Sequence, residues 1–144
     1  MRRLLCLTLL AAAACASNDA NRPAPAVTLV QTSAVPDLTV ASVSGVPTDY
    51  RLLVENPFDH PVTLVSVEIE SVGDSGAYAM KRVRHSFDRT IAAKSSDSVD
   101  LRAWVQRLQV DSRGDSDQPV LLRGSARFDT PVGPMRRNFV TRAQ

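Results

Sequence analysis

Beyond residue 15 the chain has no cysteine: Cys6 and Cys15 are the only two. A fold built from the residues after Cys15 therefore has neither a disulfide nor a thiolate metal site. Histidine is equally scarce. His60 and His85 are too few and too isolated for a zinc site, and neither stands in the sequence context of a catalytic base. No apolar run reaches the ~20 residues that a membrane-spanning helix needs; the longest candidate covers residues 4–14. Excess charge is missing too. The whole chain has 17 basic and 15 acidic residues, and without Arg2 and Arg3 the balance is 15 against 15. A neutral domain lacks the clustered basic face of a nucleic-acid binder. Lysine is nearly absent, at 2 against 15 arginines, which reads as a base-composition bias. With no cross-links the fold rests on its core alone, and ~110 residues suffice, since a domain of that size buries roughly two thirds of its unfolded surface.

What is present starts with Met1-Arg2-Arg3, a short apolar stretch over residues 4–10, and small residues at 11–14 that end at Cys15. This pattern reads as an export signal. It resembles the lipobox of bacterial lipoproteins, with Ala12 where that family most often has leucine. The resemblance implies a signal peptide over residues 1–14, acylation of Cys15, and a mature chain that begins there. Ala16, in place of the aspartate that retains lipoproteins in the inner membrane, implies the outer membrane and a domain facing the periplasm. The same alanine run also suits an ordinary signal peptidase. Residues 15–36 are rich in Ala, Asn, Pro, Ser and Thr and read as a flexible tether, with a root-mean-square reach of ~25 Å. Within it, Val27 to Val30 have the composition of a short strand.

From residue 37 to 144 the pattern is that of one all-β domain. Leu38, Val40 and Val43 mark a first strand, and Tyr50, Leu52 and Val54 one face of a second. Glu55-Asn56-Pro57-Phe58-Asp59-His60-Pro61 breaks the pattern, because its prolines remove backbone donors. Val65, Val67 and Ile69 then alternate with Ser66, Glu68 and Glu70. After Gly73-Asp74-Ser75-Gly76, strands follow over residues 77–84 and 87–91. Val99, Leu101, Ala103 and Val105 make another inward face, and Val120, Leu122, Gly124, Ala126 and Phe128 one more. A turn at Pro131 and Gly133 leads into a last strand around residues 135–140. About seven short antiparallel strands at this spacing predict an immunoglobulin-like or fibronectin III-like β-sandwich. Leu101, Trp104, Val105 and Leu108 also fit helical spacing, so a short helix over residues 104–110 stands as an alternative to strand there.

A strand ending in Asn56-Pro57, followed by Pro61-Val62-Thr63-Leu64-Val65-Ser66-Val67-Glu68-Ile69, resembles the Asn-Pro turn and next strand of late embryogenesis abundant (LEA) type 2 proteins. These are also described as water stress and hypersensitive response domains. Ile91-Ala92-Ala93-Lys94-Ser95-Ser96 resembles the family's polar turn before its Val-rich strand. The segment from Leu122 through Gly124 and Pro131 to Gly133 resembles its closing glycine, strand and Pro-x-Gly hairpin. The likeness covers about residues 37–142 and makes Asn56, Pro57, Gly124, Pro131 and Gly133 its motif positions. Phe58 departs from the family's Asn-Pro-Asn, and the glycine expected around Arg89 and Thr90 is missing. The resemblance implies a sandwich without a cofactor, an association with desiccation or other stress, and no reaction. Pro36-Asp37-Leu38-Thr39-Val40 with Val54-Glu55-Asn56 also resembles the cell-adhesion-related modules of bacterial surface proteins, which share the fold.

Other motifs have plainer readings. Gly73-Asp74-Ser75-Gly76 matches the peptide of a serine nucleophile, but a serine needs a base and an orienting acid in reach, and a turn explains it. Arg113-Gly114-Asp115 is an integrin-type tripeptide in a loop rich in those residues. Asp111, Asp115 and Asp117 lack the spacing and terminal glutamate of a calcium loop. Glu68 and Glu70 share a strand face as glycosidase carboxylates do, yet paired charges on an exposed face are common. Trp104 reads as core or interface. The basic residues at Lys81, Arg82, Arg84 and Arg89 and at Arg123, Arg127, Arg136, Arg137 and Arg142 are expected to spread over two faces. The expectation is a non-enzymatic, lipid-anchored envelope module that binds or protects under stress. Protein–protein assembly or adhesion is the alternative, and apolar-ligand binding between the sheets, permitted by the small residues Ala77, Ala79, Ala103, Gly124 and Ala126, is a third.

Overall fold

Alternating apolar residues along each run become the inner faces of two four-stranded sheets in the computed structural model. It describes residues 23–34, 45–73, 78–107 and 119–143. The strands are β1 (Ala26–Gln31), β2 (Val46–Glu55), β3 (Val62–Ser71), β4 (Tyr78–Met80), β5 (Val83–Ile91), β6 (Ser96–Arg107), β7 (Val120–Thr130) and β8 (Gly133–Ala143). One sheet has the order β1-β2-β6-β4, the other β5-β3-β7-β8. Every pairing is antiparallel. The fold is an all-β sandwich, and its core is the layer between the sheets, where Leu52, Val54, Leu64, Ile69, Leu101, Leu122 and Phe128 are buried.

Several details differ from the sequence reading. The short strand expected from Val27 to Val30 is formed, and it cuts into the tether expected over residues 15–36: Ala26–Gln31 pairs along its full length with Glu55 back to Tyr50 of β2. Leu29 is the residue that β1 inserts into the core. The alternative helix over residues 104–110 is not formed in its described part: β6 runs on to Arg107, with Val105 opposite Val46 and Trp104 opposite Pro47. The inward row of Leu101, Ala103 and Val105 won over helical spacing because β2 and β4 flank it on both sides. Trp104 consequently points outward and is 55% exposed. Residues 108–110 lie outside the described residues, as do the first strand expected around Leu38, Val40 and Val43, Ala77, Asp74 and Ser75 of the glycine turn, Asp111, Asp115, Asp117 and the Arg113 tripeptide.

On β3 the expected phase holds only beyond Ser66. The register shifts between Leu64 and Ser66, so one extra residue lets both Leu64 and Val67 face inward while Val65 is only half-buried. A bulge of this kind inserts a residue and reverses which side each neighbour takes. Pure alternation therefore misassigns Val65.

The core also contains a polar chain. The Tyr78 hydroxyl donates to Gln31 Oε1 at 2.9 Å, and the two tyrosine oxygens, Tyr50 and Tyr78, lie 3.0 Å apart. Tyr78 has one proton and gives it to Gln31, so Tyr50 is the donor in the second bond. Burial pushes the ionisation of both phenols upward, and the bond to Tyr78 raises Tyr50 further. This chain joins β1, β2 and β4 within one sheet.

Candidate functional site

The Asn56-Pro57 segment links β2 to β3, crossing from one sheet to the other, and Asn56 is its buried centre. Its amide Nδ2 donates to the carbonyls of His60 (2.9 Å), Ile91 (3.2 Å) and Ala92 (2.9 Å). Its Oδ1 accepts the Phe58 N–H at 3.0 Å. Its own backbone N–H reaches the Ser95 carbonyl at 2.8 Å. One side chain thus ties the β2–β3 loop to the β5–β6 turn. Proline next in sequence keeps Asn56 out of the helical region, which suits a strand end that must change sheets.

Lys94 completes the clasp from the opposite side. Its N–H donates to the Phe58 carbonyl at 3.0 Å, its Nζ to the Pro57 carbonyl at 2.7 Å, and it forms an ion pair with Asp59 at 3.1 Å. It occupies a left-handed backbone position, φ 52°. The Phe58 and His60 rings stack at 5.0 Å with an interplanar angle of 7°. Phe58 packs against the core, and this accounts for an aromatic ring at the position where the resembled family has a polar residue. Nothing in the sequence marked Lys94 for this role.

Pro131 and Gly133 form the β7–β8 turn at the same end of the sandwich, since Thr130 pairs with Gly133 beyond the row that joins Asp129 to Thr63. The Thr130 hydroxyl donates to the Gly133 carbonyl at 2.8 Å. Gly133 has φ 115°, a conformation that side chains disfavour. Gly124 lies apart from this group, midway along β7 and opposite Ile69 and Phe139. A Cβ there would clash with the Phe139 ring and sit 2.7 Å from the Glu68 carbonyl oxygen. Asn56, Pro57, Pro131 and Gly133 are thus brought to one end, while Gly124 is a packing position elsewhere. Cys15 lies outside the described residues.

The outer face of the β5-β3-β7-β8 sheet carries an arginine–glutamate array. Glu70 accepts from Arg82 at 3.0 and 3.1 Å and from Arg123 at 2.6 Å. The Arg82 and then the Arg123 hydrogen bonds hold its carboxyl below the usual range. Arg84 stands 3.6 Å from Glu68, and Arg136 donates to Ser125 at 2.9 Å. A surface depression of about 460 Å³ runs between Glu68, Glu70, Arg123 and Arg136. The expected spread of basic residues over two faces holds for Arg137, which sits opposite Ala126 on the inner side. The register instead gathers Arg84, Arg123, Arg127 and Arg136 on one face. Even spacing within each strand and direct pairing between strands produce that gathering. On the other sheet Asp49 and Arg102 pair at 2.7 Å, as do Arg51 and Asp100 at 2.8 Å. The carboxyl of Asp49 is lowered by its bond to Arg102.

Among the described residues no group of three or more His, Cys, Asp or Glu is placed to hold a metal, and no helix is long and apolar enough to cross a membrane.

The architecture has a counterpart among solved structures. The chain superimposes on the solution structure of a candidate LEA protein with a TM-score of 0.55 and 19% identity, over 89% of this chain and 74% of that one. A crystal structure of a protein from Archaeoglobus fulgidus matches at TM-score 0.46 and 9% identity, over 82% of this chain and 92% of that one. No family model matches the sequence, and neither does any curated protein. The likeness to the candidate LEA protein defines the class at the level of fold: the domain is an LEA-like all-β sandwich.

Proposed function

We propose that this chain is a lipid-anchored envelope protein whose LEA-like sandwich acts as a non-enzymatic binding or protective module under drying or related stress. The observation that carries this reading is the order of parts: a signal-like start ending at Cys15, then an LEA-like sandwich whose first strand begins at Ala26. The anchor would be Cys15 acylated in the outer membrane, with the sandwich facing the periplasm. Several acyl chains at ~0.8 kcal/mol per buried methylene would hold it far more firmly than a single myristoyl chain. The proximity of β1 to Cys15 supports a sandwich kept close to its membrane. The arginine–glutamate face supports a surface that stays hydrated through short-range ion pairs.

Protection is tested by drying a labile enzyme with and without the purified domain and assaying its recovery, beside a pull-down from solubilised envelopes. The reading expects recovered activity or a retained envelope component. The absence of both would leave the reading without support. Pairing through the β8 edge, one form of the assembly alternative, is opposed by Pro134, Arg136, Arg137 and Arg142 along that strand, since proline and charge are the usual means of blocking edge-to-edge addition, and by β1, whose Leu29 carbonyl accepts from the Thr141 hydroxyl.

A further inference from the structure

The loop end that carries Asn56 is also the end at which the chain arrives from Cys15, and this relation points to a surface. Strand register sets Ala26, Glu55 and Ser96 in one row at the limit of the first sheet. Val62 with Ile91, and Thr130 with Gly133, mark the same limit on the second. Ala24 lines a depression there together with Pro57 and Lys94. Residues 16–25 separate Cys15 from Ala26, and at full extension that span is at most ~40 Å. An acylated Cys15 therefore keeps this end within reach of the bilayer, and the opposite end lies ~30 Å from it along ten-residue strands.

Turns are usually polar, and two at this end also expose apolar residues, the β5–β6 turn beside its Lys94 and Ser95. Val132, at the tip of the β7–β8 turn, is 71% exposed, beside exposed Pro131. Ala92 and Ala93 are exposed in the β5–β6 turn. Asp59, in the β2–β3 loop between these turns, is paired with Lys94, and Glu55 and Asp129 are exposed at the adjoining strand ends. We propose that this loop end docks on the lipid surface, with Val132 and the Ala92–Ala93 turn entering the headgroup layer. The inference rests on the anchoring at Cys15 and adds an orientation to it: the sandwich stands end-on, with both arginine-bearing outer faces directed sideways into water.

The test uses the full-length acylated protein with Val132→Cys, reconstituted into vesicles of phosphatidylethanolamine and phosphatidylglycerol and labelled with an environment-sensitive fluorophore. The label is unique because the mature chain has no cysteine beyond Cys15. Gln106→Cys, exposed near the opposite end of β6, is the control. The proposal expects blue-shifted emission, quenched by lipid-borne quenchers, at position 132 and water-like emission at position 106. Water-like emission at both positions on protein that floats with the vesicles overturns docking and leaves anchoring intact. Protein that stays out of the vesicles overturns anchoring, and docking with it. A blue shift at 132 that persists in vesicle-free Cys15→Ser protein means the tip is covered by protein, which also overturns the proposal.

Discussion

At the scale of single residues, the two tyrosines make the most specific statement. Both are fully buried, and they are the only tyrosines in the chain. Their folded ionisation is raised, so the stability they contribute is fully present below the unfolded value of about 10 and is lost as pH rises beyond it. Phenolate absorbance should therefore appear only together with the loss of strand circular dichroism, in one alkaline transition; phenolate appearing while the strands remain would contradict the placement. The donor order adds an asymmetry. Tyr78→Phe leaves the Tyr50 hydroxyl without its acceptor and Gln31 without its donor, at about 1–3 kcal/mol for a buried unmet group. Tyr50→Phe removes only one donor from an oxygen that still bonds Gln31, and should cost less by urea denaturation. At Asn56, Ala leaves the Ile91 carbonyl and its neighbours unmet, again about 1–3 kcal/mol. Asn56→Asp should be worse at neutral pH than in mild acid, because an ionised carboxylate would face three carbonyl oxygens. Gly124→Ala should cost about 1–3 kcal/mol as an overpacked site, since the Glu68 carbonyl it meets is backbone and cannot turn aside.

At the scale of elements, the legibility of the sequence followed how far each strand obeys simple alternation. β2 and β7 were readable residue by residue, because Tyr50, Leu52 and Val54, and Leu122, Ala126 and Phe128, alternate without interruption and are all buried. β3 was readable only in part, since a bulge is invisible to period-two counting. β1 was legible only as the short run from Val27 to Val30 within low-complexity sequence, and it supplies one core residue, Leu29. The end of β6 mimicked a helix because Trp104 faces water. In the candidate site, Asn56 and Pro57 were legible from the turn itself, whereas Lys94 depended on a contact 37 residues away, which no local pattern encodes. The ion pairs between strands have their own test. Asp49, Glu70 and Asp97 are lowered chiefly by bonds to Arg102, Arg82 and Arg89. The stabilisation they give is present above the ordinary carboxylate range near pH 4 and is lost as pH falls through their lower folded values. Replacing Arg82 and Arg123 together by Gln should shift the acid-unfolding midpoint of the protein to higher pH, and the shift should shrink in high salt, since both arginines are exposed.

For the whole molecule, the account joins a fold to a position. The sandwich supplies a core that needs no cross-link. The short span between Cys15 and β1 would hold one chosen end toward the lipid, and the motif residues Asn56, Pro57, Pro131 and Gly133 gather at that end. The claim on which the rest depends is that Cys15 is the anchor. Intact mass and membrane fractionation of the native protein, beside a Cys15→Ser variant, address it directly. The account predicts a chain that begins at Cys15 and carries the added mass of acyl groups, recovered with the outer membrane, while the variant is released as soluble protein. An unmodified mature chain that is soluble in both cases would contradict it.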